Sequence, residues 1–208
     1  MKKLITIAFC LSILTSFGQV KDIDGTTYKT VKIGSQTWMA ENLNVSHYRN
    51  GAPIPQVQDS ASWNQLTTGA WCYYENKTEN GAKYGKLYNW YAVNDARGLA
   101  PMGWHIPAES EFNLLTAALG GDIAGKKIKS ATEDWGSYRG TNQSGFSGLP
   151  GGGRVDNFGL IGMYGGWWTS TQKNATTAQL RYVVIMRDKL SIHQLSKKSG
   201  YSVRCVKN

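Results

Sequence analysis

With 208 residues, 41% hydrophobic and 18% charged, the chain has enough apolar material for one domain with a proper core and is short for two. The formal net charge is +9, but the basic residues are scattered and the densest run is only Lys126-Lys127-Ile128-Lys129. Such a distribution reads as solvated surface charge, which argues against a nucleic-acid partner and leaves room for weak attraction to acidic polysaccharide.

Residues 1–18 have the layout of a secretory signal peptide. Lys2 and Lys3 precede an apolar run from Leu4 to Leu14, and Ser16-Phe17-Gly18 places small residues before a cut at Gln19. The run is too short for a permanent membrane span, and Phe9 before Cys10 is too bulky for a lipidation site. Cleavage takes Lys2 and Lys3 away, so the +9 falls to +7 on a single domain over residues 19–208. The expected address is secreted: cell surface, medium or periplasm. Cys72 and Cys205 remain after cleavage, and an even pair in an oxidising compartment invites a disulfide. Closing so long a loop would contribute about 4 kcal/mol; the alternative is two separately buried thiols.

Along the mature chain, Asp24-Gly25 predicts a hairpin turn into an alternating strand over Tyr28 to Ile33. Gly34-Ser35 turns again into a third short strand from Thr37 to Ala40. Asn50 to Ser62 reads as irregular, Ala70 to Tyr74 as a strand, and Asn76 to Gly81 as an exposed loop. Tyr84, Leu87, Tyr88 and Tyr91 fall at helical spacing and predict one amphipathic helix. Pro101 and Pro107 predict a stiff extended link. A second helix follows from Ala108, with Glu109 and Glu111 in its first turn, a buried stripe of Phe112, Leu115 and Leu119, and Gly120-Gly121 as its stop. Ser130 to Gly166 is dense in glycine and predicts long ordered loops pinned by aromatics. Strands are expected over Gly166 to Thr171, Leu180 to Arg187, Lys189 to Leu195 and Tyr201 to Lys207.

Six blocks then carry a likeness: IGSQTWMAENLN (Ile33 to Asn44), AWCYYEN (Ala70 to Asn76), YGKLYNWYAV (Tyr84 to Val93), LAPMGWHIPAESEF (Leu99 to Phe112), GGWWTST (Gly165 to Thr171) and GYSVRCV (Gly200 to Val206). In this order they resemble the Fibrobacter succinogenes major paralogous domain, a family of exported bacterial proteins. That family is similar to the C-type-lectin-like fold, also the scaffold of formylglycine-generating enzymes. The resemblance implies an α+β fold with a small twisted antiparallel sheet, two flanking helices and long glycine-rich loops. It assigns no reaction, and fold alone does not supply one.

The residues give little sign of catalysis. Formylglycine-generating enzymes work with paired cysteines late in the chain, whereas Cys205 stands alone in its segment. The calcium-dependent sugar triplets Glu-Pro-Asn and Gln-Pro-Asp do not occur, and Val93-Asn94-Asp95 reads as a helix stop. His47, His105 and His193 lie far apart and read as hydrogen-bonded or surface side chains, so neither metal nor cofactor is expected. Gly148 to Arg154 lacks a phosphate-loop lysine, Glu109 and Glu111 point away from each other on a helix, and Ser144 and Ser147 lack a histidine partner. Eight tryptophans and eleven tyrosines are many for this length. Trp90, Trp104, Trp167 and Trp168 read as core. Trp135, Tyr138, Arg139, Asn142, Arg154, Asp156, Asn157 and Tyr164, on the glycine-rich loops, are the candidate ligand contacts. The expectation is a non-catalytic module that binds a glycan or a surface protein, with a structural or adhesive envelope role as the alternative and an enzyme as the weaker one.

Overall fold

The computed structural model describes residues 18–208, so the signal-peptide reading lies, Gly18 apart, outside the described residues. The hairpin at Asp24-Gly25 forms as the sequence predicts. β1 (Gln19–Lys21) and β2 (Thr27–Ile33) pair antiparallel with Val20 opposite Tyr28, and β2 then pairs with β3 (Gln36–Met39). Alternation along β2 buries Tyr28 and Thr30 on one face, the period-two pattern read from the sequence, while Ile33, of opposite parity, is buried in a separate apolar core.

The middle of the chain departs from its local pattern. A short helix α1 (Ser60–Gln65) ends the irregular stretch and is capped by the Asp59 carboxylate, which accepts the Ser62 amide at 2.7 Å. β4 is only Trp71–Cys72, and the expected loop from Asn76 is largely helix α2 (Thr78–Tyr84). The single helix predicted over Tyr84 to Tyr91 does not form. Gly85, at φ 75°, stops α2. Leu87–Tyr88 becomes β5 opposite Cys72 and Trp71, and a four-residue helix α3 (Trp90–Val93) starts afresh under an Asn89 cap. The aromatic spacing is helical by coincidence: strand pairing with β4 outweighs a weak local preference.

From Pro101 the agreement returns. β6 (Trp104–His105) lies in the extended link, and α4 (Glu109–Ala118) buries Phe112 and Leu115, with Leu119 buried just past its end. The Glu111 carboxylate reaches back to the Ala108 amide at 2.8 Å and also holds the His105 ring at 2.7 Å. After α5 (Ala124–Ile128), the glycine-rich stretch contains an unexpected ribbon, β7 (Gly151–Arg154) with β8 (Phe158–Ile161). β9 (Tyr164–Gln172), β10 (Thr177–Val184) and β11 (Ser191–Ser196) form a three-stranded antiparallel sheet close to the predicted spans, and β12 is Val206–Lys207.

The result is an α+β fold with a five-stranded sheet in the order β1-β2-β3-β12-β6, a three-stranded sheet and two ribbons. The β9–β10 pair separates two apolar cores. Trp167 and Trp168, adjacent in sequence, point to opposite faces and each fills one core. Gly200 to Lys207 joins the pieces. Gly200 bridges Arg154 of β7, Tyr201 bridges Tyr88 of β5, Ser202 bridges Trp167 of β9, and Val206 pairs with Trp38 of β3 and His105 of β6.

The disulfide expectation is corrected: Cys72 and Cys205 are free, buried thiols. Cys72 packs with Trp63, Tyr74 and Leu87, whereas Cys205 belongs to the larger core with Met39 and Tyr88. Burial pushes both thiols up, Cys72 to about 11, so neither is a reactive thiolate near neutral pH.

Candidate binding cleft

Three sequence-distant segments wall a cleft of about 470 Å³. One wall is the start of β2 and the chain leaving β3, Ala40 to Asn44. The second is the end of α2 with Gly85, and the third comes from the glycine-rich loops at Ser130 to Thr132, Asn142, Ser147 and Leu149. Arg204 lies at its floor, 1% exposed.

That floor is a dense hydrogen-bond network centred on Arg204. Arg204 Nε donates to Asn42 Oδ1 at 2.7 Å, Nη1 to the Met39 carbonyl at 3.2 Å and to the Phe146 carbonyl, and Nη2 to the Ser147 carbonyl at 3.3 Å. Asn42 Oδ1 also accepts the Trp167 indole N–H at 2.9 Å, while Asn42 Nδ2 donates to the Tyr84 carbonyl at 2.8 Å. The Phe146 ring lies 4.3 Å from the guanidinium carbon. With no carboxylate in contact, burial pushes Arg204 down to about 9. The rim is ordered too. Lys83 pairs with Asp134, whose carboxylate accepts the Thr132 hydroxyl at 2.7 Å, and Thr132 meets Ser130 at 2.7 Å. The bond to Asp134 raises the Lys83 pKa. Glu41 is the exposed carboxylate of the cleft and already accepts the Lys29 amide at 2.8 Å. Among the described residues no group of three His, Cys, Asp or Glu could hold a metal ion.

The eight residues singled out on the loops do not share one face. Trp135 is fully buried and donates its indole N–H to the Gly148 carbonyl at 2.9 Å, so it anchors a loop and is closed to a ligand. Arg154 is also fully buried. It donates to the Val57 and Gln58 carbonyls at 3.1 and 3.0 Å and sits between the Trp63 and Phe158 rings. Tyr164 is half-buried and stacks on Tyr182 at 5.0 Å. Tyr138 (48% exposed) and Arg139 are on the surface near α5, while Asp156 and Asn157 are exposed at the β7–β8 turn, where Asp156 lines a separate pocket with Asn64 and Lys198. Asn142 alone of the eight lines the main cleft, held there by mutual bonds with Ser147 at 2.8 and 3.0 Å.

Sequence reasoning missed Asn42, Lys83 and Arg204. Asn42 and Arg204 lie in the blocks ENLN and GYSVRCV, and Lys83 just ahead of the block that opens at Tyr84; these read as marks of a fold because nothing local says that three such distant segments meet.

The model of the Fibrobacter succinogenes major domain family matches residues 31–207, and all six sequence blocks lie in that span. No curated protein and no solved structure matches the chain.

Proposed function

The chain belongs to the Fibrobacter succinogenes major domain family, and on that premise we propose that it is an exported, non-catalytic module that holds a glycan in the cleft above Arg204. The observation that carries this reading is preorganisation: the donors and acceptors of the cleft are fixed by bonds to one another and to backbone before any ligand arrives. Fixed polar groups of this kind spare a hydroxyl-rich ligand the cost of ordering its site. The reading carries the scaffold with it. A C-type-lectin-like arrangement fits the small antiparallel sheets, the flanking helices and the long loops, and on this reading the ligand sits among those loops.

Binding of the mature chain to a glycan array, repeated with two variants, tests this. Ala131 is exposed and lines the cleft, so Ala131→Phe crowds the cleft without removing a buried contact or adding charge. It is expected to abolish glycan retention at unchanged melting temperature, whereas Tyr138→Ala leaves retention intact. Retention that survives Ala131→Phe moves the site elsewhere, and an array that retains nothing ends the glycan reading.

One observation favours the adhesive alternative. Leu160, Met163 and Met186 are 53%, 53% and 68% exposed, and backbone bonds from Met163 to Leu160 and from Ile185 to Met163 bring them together. A small apolar patch of this kind suits contact with a protein of the envelope.

A further inference from the structure

Resting on the reading of the cleft as a glycan site, we infer that its ligand is an acidic saccharide whose carboxylate sits against Arg204. Six Lys and Arg side chains are buried among the described residues: Lys86, Lys129, Arg154, Arg181, Lys197 and Arg204. Each is held by backbone carbonyls and an aromatic ring, and Arg154 and Arg181 also keep a buried Nε without a partner. Arg204 differs because it lines the main cleft. A guanidinium has five N–H donors, and Nε and Nη1 spend all of theirs on Asn42, Met39 and Phe146. Nη2 makes one bond, to Ser147 at 3.3 Å, which leaves one N–H without a protein acceptor.

No carboxylate forms an ion pair with Arg204 among the described residues; Glu41, the exposed acid of the cleft, is engaged with the Lys29 amide. Glu41 attracts Arg204 across the cleft without touching it; a buried cation with no counter-ion in contact is costly, and an anion arriving at the guanidinium relieves that cost. The depressed pKa of Arg204 has the same origin. A carboxylate suits the vacant donor, since charge-assisted bonds to a guanidinium are short and strong. Around it, the Thr132 and Ser130 hydroxyls and the Asn142 amide supply the neutral partners that sugar hydroxyls need.

Oligogalacturonide and its methyl ester separate charge from sugar, because they differ only in the masked carboxylate. Titrated into the mature protein with tryptophan fluorescence as readout, the free acid is expected to bind at least about tenfold more tightly than the ester, a gap of about 1.4 kcal/mol. That preference should shrink as salt rises from about 0.01 to 0.15 M. Asn42→Asp places a carboxylate beside Arg204 and keeps an acceptor for Nε and for Trp167, at the cost of the Nδ2 bond to the Tyr84 carbonyl; in variant protein shown by its melting curve to be folded, the acid preference should be erased. Equal affinity for acid and ester overturns the inference and leaves the glycan site standing. An acid preference that persists in Asn42→Asp assigns selection to Lys83 and overturns the role given to Arg204. Binding of neither probe, with an array that also retains nothing, removes both.

Discussion

Asn42 shows how much one side chain carries in a fold poor in regular structure. Its Oδ1 serves a buried guanidinium and an indole, and its amide satisfies the carbonyl that ends α2. Asn42→Leu keeps the approximate volume and strands two buried donors, one of them charged. The expected loss is roughly 3 kcal/mol in urea unfolding, against about 1–2 kcal/mol for Asn42→Asp, which loses the bond to the Tyr84 carbonyl and gains a charge beside Arg204. Equal losses in the two variants would mean that volume, and not hydrogen bonding, is what the position supplies. The remaining buried cations follow the same logic. Lys86 bonds the Asn44 carbonyl under the Trp71 ring, Lys129 the Ile185 and Arg187 carbonyls beside Trp135, and Lys197 the Ala175 carbonyl over Trp90. Of the six, Lys129 comes within 4.0 Å of a carboxylate, that of Asp188. Loops leave carbonyls that no ladder satisfies, and a long cationic side chain can reach several of them at once. None of this was legible in the sequence, where Arg154 and Trp135 looked like surface contacts because they sit among glycines.

At the scale of elements, legibility tracked whether an element makes its own case. β2, α4 and the β9–β10–β11 sheet carry alternation, a helical stripe or capping residues within themselves, and they came out close to their predicted spans. β5, β7 and β8 do not. Gly151-Gly152-Gly153 has no strand propensity, and the ribbon exists because the backbone of Arg154 pairs with that of Gly200 at 2.9 and 2.6 Å. Gly153 is there for space: a Cβ would lie 2.3 Å from the Tyr201 ring, which is itself packed against Trp168. Its register partner Gly159 would place a Cβ against nothing within 4 Å. Gly153→Ala should therefore destabilise by about 1–3 kcal/mol, whereas Gly159→Ala should be neutral or stabilising by up to about 1 kcal/mol through the unfolded chain. Thermal unfolding of the two variants side by side checks this, and similar melting temperatures would count against a tight seam at Tyr201.

For the whole molecule, burial sets an unusual dependence on pH. Lys86 is pushed down to about 8 and Arg204 to about 9 by burial, from ordinary values of 10.5 and 12.5. Between the folded and ordinary values the unfolded chain binds more protons, so stability rises with pH. Cys72, pushed up to about 11, and Tyr48 and Tyr201, pushed up to about 12, act in the opposite direction, because above 9 for the thiol and 10 for the phenols the folded chain holds the protons. Stability should climb from pH 8 to 9, level off, and fall beyond 10. Urea midpoints across pH 7 to 11 measure the profile, and a steady decline from pH 7 would show that the buried cations are not held at a cost.

The segment that binds every sheet into one body, Gly200 to Lys207, comes after all the pieces it joins. During synthesis the sheets and ribbons emerge before the strand that fastens them to one another. Late joining of this kind leaves the last step of becoming one rigid body to a single short stretch, which no earlier piece can replace.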